Sequence, residues 1–215
     1  MKIRPITPER LLDELADRIA GTRPGRRLRV AVDGPTAADP DRLARDLVDP
    51  LRVRGRAALP VRTADFLRPA SLRYEFGRTN PDSFYAGWLD EAGLRREVLD
   101  PAGPHGDGRV LPSLWNAGAD RASRADYVPL PPAAVVVVSG PLLLGGGLPF
   151  DLTVHLVLSA GALARRTADD QRWTLPAYAR YAEEVAPDSF ADVVIRMDDP
   201  RRPALAEADV SDLHR

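Results

Sequence analysis

The chain is 215 residues long, 44% hydrophobic and 28% charged, which is enough apolar material for one sizeable core and too little charge excess for disorder. Its 30 basic and 31 acidic side chains leave a formal net charge of -1, so no global field draws it to nucleic acid or an anionic membrane. Cysteine is absent, excluding disulfides, thiolate nucleophiles and cysteine metal sites, and the only lysine is Lys2, excluding chemistry that needs an internal lysine.

Leu11, Leu12, Leu15 and Ile19 recur at helical spacing between Pro8 and Gly21, predicting an N-terminal amphipathic helix followed by a linker to residue 27. No apolar h-region lies within Met1 to Glu14. The longest apolar run, Ala133 to Leu144, is broken by Ser139 and Gly140 and falls short of the roughly 20 residues of a membrane span. A cytoplasmic protein without a membrane or nucleic-acid partner is expected. Leu28 to Val32 reads as the first core strand, ending in the turn Asp33-Gly34-Pro35. Leu43, Leu47, Val48 and Leu51 then predict one helix of about a dozen residues closed by Gly55.

Ala57 to Val61 reads as a second strand, and Asp65 to Ser83 as a long loop of the kind that is often functional. Phe84 to Leu99 reads as a helix with Leu89, Leu94 and Val98 on one face. Ala133 to Val138 is a β-branched, wholly apolar run suited to a parallel strand buried on both faces. Leu152 to Leu158 and Ala191 to Ile195 are further strands, separated by helical patterns at Ala160 to Arg166 and Pro176 to Glu184. Strands alternating with helices predict an α/β fold with a mostly parallel sheet of about five strands. One domain is expected over 1–215, with residues 65–131 as a cover over the cleft and 160–190 as a lid-like region.

Five segments, in order, resemble the uridine kinase-like branch of the P-loop kinases, in the arginine-rich form found in high-GC bacteria. They are Ala31 to Pro35, Ala64 to Pro69, Asn80 to Pro101, the pair Val135 to Leu144 and Asp151 to Leu158, and Ala191 to Pro200. The resemblance spans roughly Leu28 to Pro203. It implies a three-layer P-loop NTPase fold and an enzyme that phosphorylates a nucleoside, with ATP and magnesium as cofactors if active.

The chain departs from that pattern where the chemistry is densest. A phosphate loop of the form G-x-x-x-x-G-K-[ST] closes its amides on phosphate, reaches it with lysine and holds magnesium with the hydroxyl. Counted from Gly34, through Pro35 and Thr36, those three positions hold Asp39, Pro40 and Asp41. These residues suit a helix N-terminus: Asp39 as cap, Pro40 at the first position and Asp41 in the first turn. The resemblance puts its general base at Ala64, with Asp65 the neighbouring candidate, and its magnesium carboxylate at Ser139. No metal site is expected, and His105, His155 and His214 lack metal-ligand spacing. His155 reads as a strand residue with a satisfied hydrogen bond.

Arg68, Arg73, Arg78, Arg165, Arg166 and Arg172 lie near the presumed cleft, and Arg165 and Arg166 fall in the segment matching the family's lid. Phe66, Tyr74, Phe84, Tyr85, Trp88 and Trp115 fall where the family lines its nucleoside pocket, so Phe66, Arg68 and Tyr85 join the substrate candidates. The function expected is a pseudokinase that keeps the fold to bind a nucleoside, a nucleotide or a partner. The alternative is an active nucleoside kinase with a non-standard nucleotide site. Nothing in the residues sets an oligomeric state.

Overall fold

The computed structural model describes residues 2–207. A short strand, β1 (Lys2–Pro5), leads into α1 (Pro8–Gly21). The Thr7 side chain caps α1 by accepting from the Arg10 N–H, with Pro8 preset for the first turn. The first core strand is β2 (Leu28–Asp33), followed by a 3-10 turn at Thr36–Ala38, α2 (Pro40–Asp46) and α3 (Val48–Val53). The single helix expected across Leu43 to Leu51 is therefore divided at Leu47, which still anchors both halves in the core.

After β3 (Ala58–Arg62) comes an excursion of short pieces: a 3-10 turn at Thr63–Phe66, α4 (Ala70–Arg73), α5 (Pro81–Gly87), α6 (Glu91–Leu94), a π-type turn at Arg95–Leu99 and α7 (Asp100–Ala102). The long helix expected over Phe84 to Leu99 is broken because Asp90 caps a new start, its side chain accepting from the Gly93 N–H and its own N–H donating to the Phe66 carbonyl. Two small ribbons follow: β4 (Arg109–Val110) pairs with β7 (Val128–Pro129), and β5 (Trp115–Asn116) with β6 (Arg121–Ala122). The chain then runs through β8 (Val135–Gly140), β9 (Leu152–Val157), α8 (Ala160–Arg166), a 3-10 turn at Asp169–Thr174 and α9 (Leu175–Glu184). It ends in β10 (Val193–Arg196) and β11 (Ala204–Glu207).

The main sheet has seven strands in the order β1-β11-β10-β9-β2-β8-β3. The run from β10 to β3 is parallel and comprises the strands read from the sequence. Two antiparallel strands, β1 and β11, extend it at one edge, so the expectation of about five strands is corrected to seven. Successive side chains of β8 serve opposite faces. Val135 and Val137 pack with α1, α2 and α3, whereas Val136 and Val138 pack with Phe66, Leu94, Val98 and Leu99 of the excursion. Asp151 ties β9 to β2: its buried carboxylate accepts from the Arg29 N–H at 2.9 Å and from both edges of the Arg29 guanidinium at 2.9 and 3.0 Å. Among the described residues no helix is long and apolar enough to cross a membrane.

Candidate functional site

The parallel strands end together beside the loop at residues 34–41, and close packing fixes that loop. A Cβ on Gly34 would stand 2.7 Å from the Leu156 Cβ, and one on Gly140 would stand 1.8 Å from the Thr63 hydroxyl. Both positions require glycine for the backbone to pass.

The loop uses its own donors. Asp39 adopts a left-handed conformation, with φ 57°, and its side chain accepts from the Arg42 N–H at 3.1 Å, with Pro40 at the first position of α2. The Gly34 N–H donates to the Gly140 carbonyl, Ala38 to Pro35 and Asp39 to Thr36. The Thr36 N–H donates to the Tyr178 hydroxyl at 3.3 Å. Pro35 and Pro40 have no N–H to give. The Ser139 hydroxyl, at the end of β8, donates to Asp41 at 2.6 Å. Four amides already bonded, those of Gly34, Thr36, Ala38 and Asp39, with two prolines, two carboxylates and no lysine, do not fit a triphosphate with its magnesium ion. Lys2 lies on β1, separated from β2 by β11, β10 and β9. Among the described residues no three His, Asp or Glu side chains gather to hold a metal ion.

The remaining candidates separate. Asp65 is held by Arg62 through two hydrogen bonds of 2.9 and 2.8 Å, and hydrogen bonding to Asp65 raises the Arg62 pKa, with the charges of Asp65 and Asp41 adding to it. Phe66 is fully buried in the core under the excursion, so it presents no face to a ligand and leaves the substrate candidates. Arg68 is exposed and contributes backbone bonds, its N–H to the Trp88 carbonyl and its carbonyl to Arg73. Arg165 is exposed, and Arg166 donates to the Met197 carbonyl at 2.5 Å. The Tyr85 hydroxyl donates to Glu184 at 3.0 Å beneath the Arg180 guanidinium, and burial together with that carboxylate raises the phenol pKa.

Aromatic side chains do converge. Phe84 meets Trp88, Trp173 and Tyr178 edge-on at centroid distances of 5.3, 5.6 and 5.7 Å. Beside them a cleft of about 260 Å³ opens between Thr36 and Ala37 of the loop, Phe84 and Trp88 of the excursion, and Arg166, Gln171, Thr174 and Tyr178 of the segment after β9, so Arg166 alone of the candidate arginines lines it. Trp115, by contrast, lies on the β5 ribbon, donating to Asp120.

A second cluster escaped the sequence reading. Asp33, wholly buried, accepts from the Leu143 N–H at 2.9 Å, from the Tyr181 hydroxyl at 3.1 Å and from His155 Nδ1 at 2.6 Å. The Tyr181 hydroxyl in turn accepts from the Leu144 N–H at 2.8 Å. Burial, and then the Asp33 charge, push the Tyr181 phenol far above its ordinary range, so it stays a donor. His155 is indeed bonded, as expected, but its partner lies 122 residues away and no local signal marks it.

No protein-family model and no curated protein matches the chain. Solved structures do. One, described as a possible uridine kinase from Bacillus stearothermophilus, superposes with a TM-score of 0.69 at 21% identity, covering 86% of this chain and 97% of that one. Another, a D-glycerate 3-kinase from Cryptococcus neoformans, gives 0.53 at 16% identity, covering 81% of this chain and 80% of that one. At these identities the likeness is one of fold, an α/β fold with a mostly parallel central sheet shared with these kinase structures.

Proposed function

We propose that this kinase-fold protein binds a nucleoside-like small molecule and does not transfer phosphate to it. The observation that carries the reading is the loop at 34–41, in which the Gly34, Thr36, Ala38 and Asp39 amides bond to the protein itself, Pro35 and Pro40 have no N–H, and the Asp39 and Asp41 carboxylates would repel phosphate. Losing both the cation and the amide donors removes transition-state stabilisation, and one such donor alone is worth about 10²- to 10³-fold in rate. The aromatic cleft keeps what a nucleoside needs: ring edges for stacking, and hydroxyl and amide groups on Thr36, Gln171 and Thr174 for the base and sugar.

Trp88 and Trp173 belong to the aromatic cluster beside the cleft, so tryptophan fluorescence reads it directly. Uridine should quench the emission saturably, and Trp88→Leu should weaken that binding by about tenfold, the loss of one stacked ring. With magnesium and ATP present, no uridine monophosphate should form above a blank. Steady phosphorylation of uridine at ordinary enzyme concentration would instead support an active kinase with a non-standard nucleotide site. Absence of quenching by any nucleoside would remove the ligand class.

A further inference from the structure

A separate cavity of about 400 Å³ lies under α8 and α9, against the end of β9. Leu156, Leu163, Leu175 and Ala179 give it apolar walls, and the Tyr178 ring stands between it and the aromatic cleft. Its polar side chains are few and mostly committed. The Tyr178 hydroxyl is bonded to Thr36 and the Tyr181 hydroxyl to Asp33 and Leu144. His155 is the exception: its ring lines the cavity and Nδ1 meets Asp33 at 2.6 Å. Asp33 occupies Nδ1, which leaves Nε2 as the ring nitrogen able to meet a ligand in the cavity. Among the described residues the one carboxylate lining the cavity is Asp188, and no arginine lines it in a chain rich in arginine.

We propose that this cavity is a binding site for an uncharged alcohol with a compact apolar body, its hydroxyl hydrogen-bonded to His155 Nε2 and its hydrocarbon part filling the leucine walls. An apolar cavity of this size with one positioned polar group is the usual form of a small-molecule site. The absence of any arginine, and the carboxylate at the mouth, set it against phosphates and carboxylates, so its occupant differs in class from a nucleotide. Gly34 and Pro35 of the loop also line the cavity, but its apolar walls come from β9, α8 and α9, so the proposal stands whether or not a nucleoside fills the aromatic cleft.

Benzyl alcohol, toluene and benzoate serve as probes, with the imidazole nitrogen resonances of the full chain as readout. His105→Gln and His214→Gln variants assign the His155 signal by elimination without disturbing its bond to Asp33. Benzyl alcohol should shift the His155 Nε2 resonance saturably and bind about tenfold more tightly than toluene, the worth of one hydrogen bond in an apolar site. Benzoate should not bind. Leu163→Trp, which fills the cavity from α8, should abolish benzyl alcohol binding while the His155 Nδ1 signal keeps its wild-type position. Equal affinity for toluene and benzyl alcohol, tighter binding of benzoate, no saturable shift with any probe, or undiminished binding in folded Leu163→Trp would each overturn the proposal.

Discussion

Two polar clusters flank the end of β2, and they differ in what surrounds them. On the β8 side, the buried Ser139 hydroxyl meets the partly exposed Asp41 carboxylate beside the exposed Asp39 cap. On the β9 side, Asp33, His155 and Tyr181 meet under α9 with Asp33 wholly out of water. Carboxylates of the first kind keep water as an alternative partner, so each bond they make contributes little and the loop can spend them on starting a helix. A carboxylate of the second kind has no alternative, and every donor around it is required.

Removing the buried acid gives the largest expected effect. Asp33→Ala leaves the Leu143 N–H, the Tyr181 hydroxyl and His155 without their shared acceptor, and should cost about 3–5 kcal/mol in urea unfolding. A loss under about 1 kcal/mol would erase the contrast between the two sides. Asp151 sharpens it from another place in the fold. Burial pushes its carboxyl up, but the Arg29 side chain and N–H outweigh that and hold it below its ordinary pKa. A depressed carboxyl stabilises the fold above its unfolded pKa of about 3.9, and the stability is lost as pH falls through the lower folded value. Asp151→Asn should therefore cost about 2 kcal/mol at neutral pH and flatten the acid limb of the stability profile. An unchanged limb would show that Arg29 does not hold the charge.

The exposed cap gives the smallest effects. Asp39→Ala loses the bond to the Arg42 N–H while keeping a side chain at φ 57°, and should cost about 1 kcal/mol by thermal unfolding. Asp39→Gly also loses the bond but relieves the left-handed backbone, and should cost only a few tenths. If glycine proves the worse of the two, the left-handed backbone at residue 39 is not strained by a side chain and the reading of the loop changes.

Much of the parallel core was legible because its strands are short apolar runs: Val135 to Val138 needs no partner to be read as buried on both faces. Helix starts were legible too, since Asp39-Pro40 carries the cap and the first-turn proline in adjacent positions. What escaped was set by distant partners. Residues 2–5 pair only with 204–207, nearly the whole chain away, and Ala204-Leu205-Ala206 has no β-branched residue to announce a strand. Phe66 looked like a candidate for stacking because its neighbours resembled a substrate segment, yet the 3-10 turn at Thr63–Phe66 rotates it into the core. Asp33 read as a turn residue, and only the packing of α9 over β2 shows that it organises His155 and Tyr181.

The most direct test of the central claim is calorimetric titration of magnesium ATP into the wild-type protein and into the triple variant Asp39→Gly, Pro40→Lys, Asp41→Ser. The variant removes two carboxylates and supplies the missing cation on a helix that glycine still permits to start. We expect no saturable heat from the wild type and saturable binding without turnover from the variant, because Ala64 and Ser139 still hold no carboxylate for a base or a metal ion. Saturable, magnesium-dependent binding of ATP to the wild type, matched or exceeded by no gain in the folded variant, would contradict the claim that the loop at 34–41 has closed on itself.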